Sequence, residues 1–405
     1  MAHEDVAGIV IEPGSRNTRI GISGDLKPTY VATTALLRGG TKTEYEIPLI
    51  GSPLPDDEVI TPVVDGVVQD YEAATGLWGH FVDEKLGMRF DEQPLTITEE
   101  VWAPNASREK MFETVFETLG VPLFQLVKAP LAATFESTRS SALVVSVGAA
   151  VASVVPVVDG LVRSKAATHS RFAGDFVDAH VLMQLEHAQP NLVPEYQVSA
   201  KQLGLAEGQV PSLTGPYKLR PRGSDSYHMF QMSRLIDEFK RVVCAVSPVA
   251  LKGPEMTGTR VFEFPTGFNL TVDHERMVAV EPLFQPTMSA LPDGSQPGVN
   301  SLGLSELIYQ TVQKVDAPSE VMLSLLSNIV LHGGTTKLPG VVDRLTNDLL
   351  VTMPNQRPRI HHALGNPAWT GASILASLNE YDESLWSTKQ QYEEMGAQHL
   401  LEKQE

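Results

Sequence analysis

Two strand–turn–strand units constrain this chain more than anything else in it. The first runs Gly8-Ile-Val-Ile, turns through Glu12-Pro-Gly-Ser-Arg-Asn and returns through Thr18-Arg-Ile-Gly-Ile. The second, Ala142 to Gly160 (ALVVSVGAAVASVVPVVDG), reads as a strand, a tight Gly-Ala-Ala turn and a strand ending in Asp159-Gly160. Val144, Val145, Val151, Val154, Val155, Val157 and Val158 favour extended backbone, and Gly148 and Gly160 mark the reversals. The units lie about a third of the chain apart and predict two related α/β halves facing one another across a cleft. Turns of this kind can cradle phosphate with backbone N–H groups. The second has the shape for it and almost none of the chemistry.

The rest of the chain fills in around these units. Asn105 or Ser107 is placed to cap a helix through Leu119, with Met111, Phe112, Val115, Phe116 and Leu119 as its apolar stripe and Gly120 as its end. Pro130 suits the first turn of a second helix reaching Thr138. Leu235, Phe239, Val242, Val243 and Val246 give a further helical stripe. Asn328-Ile-Val-Leu-His is a short strand feeding Gly333-Gly-Thr-Thr, and Pro339-Gly340 opens another helix. Leu26–Asp57 and Ala290–Ser301 read as loops, the latter as a turn-rich insertion.

A net charge of −18 repels phosphate backbones. The one short basic cluster, Lys218-Leu-Arg-Pro-Arg222, lies in a Gly/Pro/Ser-rich stretch and reads as a solvated loop, so direct nucleic-acid binding is disfavoured. No run of about 18 uncharged apolar residues predicts a membrane span, and Met-Ala-His-Glu-Asp lacks the marks of a signal peptide. The single cysteine, Cys244, excludes an internal disulfide framework, fits a reducing compartment and reads as a small core residue. His361-His362 has no ligand partner at suitable spacing and reads as solvated. His180 and His187, seven apart on one helix, read as core or surface residues.

Several ordered motifs then resemble the actin family along nearly the whole length. They are Gly14-Ser15 with Thr18-Arg19-Ile20-Gly21 and Gly24-Asp25, Arg108-Glu109-Lys110-Met111 with Phe116-Glu117, and Asn328-Ile-Val-Leu-His-Gly-Gly-Thr-Thr with Pro339-Gly340 and Asp343-Arg344. Trp369, Ser373–Leu378, Trp386, Lys389-Gln390 and Tyr392-Glu393-Glu394 complete the set. Ala173-Gly174-Asp175-Phe176, Leu95–Trp102 and Phe262–Phe268 are nearer to the nuclear actin-related protein 4 group than to conventional actin, and the Ala290–Ser301 insertion falls where that group lengthens its chain. The resemblance implies the actin, chaperone-ATPase and sugar-kinase superfold: two α/β lobes, each a mixed sheet with flanking helices. Residues 1–136 and 367–405 would form the outer lobe, with 27–61 as its small peripheral part, and 137–366 the inner lobe with its insertion near 290–301.

The resemblance also implies an ATP site, held by Glu12, Gly14, Ser15, Arg16 and Arg19 on one turn and Gly148 on the other. Gly174, Lys240, Gly333, Gly334 and Thr335 complete it on the ribose and base side. Its chemistry departs from the family's. Ser146 and Ala149 stand at the metal-organising aspartates, Ser153 at a histidine associated with the attacking water, and Ala129 at a glutamine that places it. Arg241 replaces a glutamate, Lys337 and Leu338 a methionine and an aromatic residue, and Gly365 a lysine. Arg16 replaces a glycine, and two readings of it stand: with Arg19 it holds phosphate bidentately, or it pairs with Glu12 and fills the space. Catalysis by the family mechanism is not expected, no metal is expected, and ATP binding is expected to be weak or absent.

The function this implies is a non-catalytic actin-related subunit of a nuclear chromatin-remodelling or histone-acetyltransferase complex. Its partners would be a scaffold-subunit helix, with actin and basic histones as further candidates, and Phe135, Leu375, Leu378 and Leu385 are the candidate groove lining. The alternative is an ATP-binding, polymerising cytoskeletal protein. A sugar-kinase or chaperone-type ATPase is a third reading, against which the Trp369–Glu394 tail speaks.

Overall fold

A computed structural model describes residues 7–40, 42–48, 54–188, 192–211, 218–253, 258–288, 298, 301–378 and 385–403. Both hairpins form where the branched residues put them. Ile9–Glu12 pairs antiparallel with Asn17–Ile22, and Ala142–Val147 with Ala152–Val158. The second hairpin is buried along both strands, which is why it reads as a near-continuous valine run rather than an alternating one. Its turn-ward end carries the polar interruptions, Ser146 opposite Ser153.

Each hairpin seeds a mixed sheet of the same plan. In the first sheet the order is Ser387–Thr388, Leu123–Lys128, Leu95–Glu99, Ile9–Glu12, Asn17–Ile22, Tyr30–Thr33. Ile9–Glu12 lies between its antiparallel partner and the parallel strand Leu95–Glu99. In the second sheet the order is Leu161–Val162, Ala152–Val158, Ala142–Val147, Ile329–His332, Ile360–His362, with Thr168–Ser170 also on Ala152–Val158. Ala142–Val147 again lies between its hairpin partner and a parallel strand, Ile329–His332. Each sheet has its own apolar core with helices packed against it, one around Ile9, Trp78, Phe112 and Phe124, the other around Val145, Phe239, Ile308 and Leu345. Each core is also crossed by a buried arginine–glutamate pair, Arg108 with Glu99 and Arg344 with Glu281.

The helical expectations need four adjustments. The helix expected through Leu119 is α-helical over Asn105–Glu113 and widens into a π turn over Thr114–Thr118, which keeps Val115 and Phe116 buried. Neither Asn105 nor Ser107 caps it: Pro104 holds the cap position and supplies no side-chain acceptor. The helix carrying Leu235 and Phe239 spans Asp225–Val243; Val242 is exposed, and Val246 is buried beyond the helix end. Pro130 does open the helix Ala129–Glu136.

The stretch Leu26–Asp57 is not a loop throughout. Tyr30–Thr33 extends the first sheet, and Leu36–Gly39 forms a small three-stranded sheet with Lys42–Glu44 and Glu58–Ile60. These strands are three or four residues long and mostly half-exposed, so they carry no periodic signal. Nor is the basic cluster merely solvated. Lys218–Leu219 pairs with Val198–Ala200, Arg220 donates to the carbonyls of Tyr196 and Val198, and Arg222 pairs with Asp225. The Ala290–Ser301 insertion falls almost entirely outside the described residues. No helix among those described is long and apolar enough to cross a membrane.

Candidate functional site: a cleft lined by ion pairs

The two hairpin turns are linked through Asp175, which binds Arg16 of the first and donates its N–H to the Ala149 carbonyl of the second. Glu12 ends the first strand and stands in register with Arg19, so the pair closes within one hairpin, Arg19 Nη1 lying 2.6 Å from Glu12 Oε1. Arg19 Nε also donates to Asn366 Oδ1 at 2.7 Å. The Ser15 hydroxyl accepts from the Gly66 N–H at 2.8 Å, and Gly14 offers its carbonyl to Thr34 Oγ1 at 2.6 Å.

Arg16 does not pair with Glu12. Its side chain leaves the first lobe and enters a carboxylate cradle on the second. Nη2 lies 2.6 Å from both Asp175 Oδ1 and Asp178 Oδ2, and Nη1 lies 2.8 Å from Asp237 Oδ1. Helix geometry builds the cradle: Asp175 and Asp178 are i and i+3 on Gly174–Ala188, and Asp237 is i−3 to Lys240 on Asp225–Val243. Buried Lys240 binds Asp178 Oδ1 at 2.6 Å and Asp237 Oδ1 at 3.3 Å, and Arg241 binds Asp237 Oδ2 at 3.1 Å. Three cations thus face three carboxylates. Burial works against the Arg16 charge, but Asp178, Asp175 and Asp237 outweigh it and hold its pKa above the ordinary value.

The second turn bonds once within itself and otherwise to the chain around Gly174 and Thr335. The Gly148 N–H donates to the Val151 carbonyl at 2.9 Å, and the Gly148 carbonyl accepts from the Gly174 N–H at 3.1 Å and from Thr335 Oγ1 at 2.7 Å. Asp175 N–H donates to the Ala149 carbonyl at 2.7 Å. Gly333 sits at φ 111°, where a Cβ would run into the Val147 carbonyl, whereas a Cβ on Gly334 would meet open space. His332, buried and in register with Ser146, is pushed down to about 4 by burial and by the nearby Arg19 charge.

The family model for actin matches residues 3–405. The chain belongs to the actin family. Actin-related protein 4 of Yarrowia lipolytica is 33% identical over 99% of this chain and 96% of its own length. The SWI/SNF and RSC complexes subunit arp42 of Schizosaccharomyces pombe is 33% identical over 98% of both chains. Actin-related protein 4 of the same yeast is 31% identical, over 98% of this chain and 96% of its own length.

For an actin-family chain, the residues around this cleft fit a metal-bound nucleotide poorly. Between Ser146 and Ser153 the second turn offers hydroxyls, methyls and backbone only, none of which holds a hard divalent cation as carboxylates do. Ser153 is buried and Ala129 carries no polar group. On the first turn, Arg16 and Arg19 are already held by carboxylates and Glu12 by Arg19. Among the described residues no group of His, Cys, Asp and Glu is arranged to hold a metal ion. His362 Nε2 sits 3.0 Å from Thr336 Oγ1, so it is not merely solvated. His180 is buried, with Nδ1 2.8 Å from the Phe176 carbonyl, while His187 is exposed, so the two do not act together. Cys244 is buried and its thiol is pushed up to about 12, chiefly by burial.

Sequence reasoning placed Arg16, Lys240, Gly148, Gly174 and Thr335 around one cleft, and the structure brings them together. It missed Asp175, Asp178 and Asp237 as partners of Arg16, although their three-residue spacings to one another and to Lys240 were available. The groove candidates sit apart from the cleft. Phe135, Leu378 and Leu385 are large apolar side chains left 38%, 50% and 49% exposed, and Leu375 is partly buried against the cluster that holds Val10, Ala132 and Trp369. Phe135 belongs to Ala129–Glu136 and Leu378 caps Pro367–Ser377, two helices packed directly on each other, and Leu385 precedes the edge strand Ser387–Thr388.

Proposed function

We propose that this chain is a non-catalytic actin-related subunit of a nuclear chromatin-remodelling or histone-acetyltransferase complex, working through its surfaces rather than through nucleotide turnover. The observation that carries the reading is the pairing of a cleft whose cations are held by the chain's own carboxylates with exposed apolar side chains, Phe135 and Leu378, on two helices packed together. A subunit that keeps the actin fold for binding needs the second and not the first. The likeness to a yeast protein named as a SWI/SNF and RSC complexes subunit supports the chromatin setting and a nuclear location.

On this reading the apolar set receives the apolar face of a scaffold-subunit helix. Actin is a candidate neighbour on the same scaffold, and the net charge of −18 suits basic histones as further partners. ATP binds weakly or not at all, and the chain is a pseudo-ATPase in which Ser146, Ala149, Ser153 and Ala129 have replaced the working groups. Affinity purification of the tagged chain from nuclear extract tests this. Subunits of a remodelling or acetyltransferase complex should co-purify, and Phe135→Asp with Leu378→Asp should lose them while leaving the melting curve in place. Cooperative, ATP-dependent filaments in a sedimentation assay would overturn the reading in favour of a cytoskeletal protein.

A further inference from the structure

Among the described residues, the chain's own side chains tie the lobes to one another at several places, the Arg19–Asn366 hydrogen bond among them. Arg16 of the first lobe sits among Asp175, Asp178 and Asp237 of the second. Arg171 binds Asp65 at 2.6 Å, beside Trp102, which donates its indole N–H to the Asp65 carbonyl and stacks on His169 at 4.7 Å and 23°. Near the small sheet, Ser226 Oγ accepts from the Val59 N–H at 3.1 Å, Ser224 donates to the Asp57 carbonyl, and Gln231 donates to the Pro48 carbonyl at 2.9 Å. Of these, only Arg16 meets several carboxylates of the other lobe at once, Asp178 and Asp237 mostly buried and Asp175 half exposed.

We propose that Arg16 is a built-in latch: its guanidinium, seated in the Asp175, Asp178 and Asp237 cradle, holds the two lobes closed, so that closure is set by the chain itself and not by a nucleotide. The chemistry suits this. A planar guanidinium presents several N–H groups in fixed directions and can meet three carboxylates at once, which an ammonium at the same place does less well. The cradle is fixed in advance, because Lys240 and Arg241 already hold Asp178 and Asp237 from their own helix. Without Arg16, three carboxylates would face two cations, and the cradle would turn surplus negative charge towards the first turn. Swinging the lobes apart would leave the same imbalance, so opening carries a penalty that no ligand need supply. The latch does not depend on the scaffold reading: a chain bound in any complex, or in none, would have it.

The test is a distance between the lobes. Spin labels at Glu84→Cys on the first lobe and Glu186→Cys on the second are both at exposed positions, and buried Cys244 does not compete for the reagent. Pulsed electron-spin measurements on the full chain should give one narrow distance that millimolar Mg·ATP does not move. Arg16→Gly should shift it to longer and broader values, Asp175→Asn should do so less, and Arg16→Lys should restore part of the wild-type distribution. If Arg16→Gly does not fold, half-exposed Asp175→Asn and the lysine variant carry the test. An unchanged distance in folded Arg16→Gly or, failing that, in both other variants overturns the latch. So does a wild-type distance that shortens only when Mg·ATP is added. Loss of nuclear partners through Phe135→Asp and Leu378→Asp is a separate readout, so the latch and the scaffold reading can fail independently.

Discussion

The two hairpin turns share one backbone plan and differ in what they carry. The first holds Glu12, Arg16 and Arg19, each tied to an opposite charge. The second holds Ala149 between strand residues Ser146 and Ser153, and its carbonyls accept from Gly174, Asp175 and Thr335. The hairpins persist because their strands are the buried centres of two sheets, and a strand buried on both faces leaves little freedom in backbone or size. Turn side chains that face the cleft are outside that constraint. One turn is a bridge between the lobes and the other a plain corner.

The comparison can be broken most forcefully at the corner. If the second turn is kept for the fold, Gly333→Ala, at φ 111° and against the Val147 carbonyl, should cost about 3 kcal/mol in urea unfolding. Gly334→Ala next to it, with open space for the methyl, should stay within about 0.5 kcal/mol. Equal costs would mean that the turn is not under the strain described.

At the bridge, Arg16→Gly should cost about 1–2 kcal/mol, since the guanidinium is 29% exposed and its attraction is partly screened. Arg19, held by one carboxylate and one amide, should cost less on the same change. A reversed order would make the pairing inside the first hairpin the more important one.

A pH series separates the lobes further. Glu100, a partly exposed residue whose carboxyl is enclosed near the first turn, is pushed up to about 8 by burial first and then by Glu12 and Glu99. A carboxyl raised on folding leaves the folded state binding more protons than the unfolded one, so stability falls as pH rises from about 5 to about 8. Glu100→Gln should flatten that fall, by roughly 1 kcal/mol across the window. His332 acts in the opposite sense: held neutral down to about 4, it takes stability away as pH drops from 6.5 towards 4. Denaturant midpoints at several pH values check both.

The smallest effect belongs to the plain corner. Ser146→Asp returns one carboxylate to the second turn without undoing the ion pairs on the first. It should give no ATP-dependent rise in melting temperature, whereas a ligand at a hundredfold excess over its Kd would add about 2.7 kcal/mol. A clear rise would show that the cleft is one residue away from accepting nucleotide.

Much of this molecule could be read from the sequence, and the boundary is physical. The hairpins were legible because Val144 to Val158 and Ile9 to Ile11 are mostly apolar and branched, with Gly148 marking a reversal. Gly333-Gly-Thr-Thr and Pro339-Gly340 were legible as punctuation. The strands between Tyr30 and Glu44 were not, because three or four residues of mixed burial are too short to show a period. The π turn at Thr114–Thr118 hides inside a good helical stripe. Arg16 was visible as an oddity, but its partners are 159, 162 and 221 residues away, and no local pattern says which distant carboxylates a long side chain will reach.

The chain passes between its sheets twice, once through Ala129–Glu136 and once through Pro367–Ser377. These helices lie so close that a Cβ on Gly371 would collide with the Ala132 carbonyl. Two crossings pressed together form one seam, the pivot about which any movement of the halves would turn. Phe135 and Leu378 are mounted on the pivot itself, so the apolar set and the cleft stand at the fulcrum and the jaws of one pair of tongs.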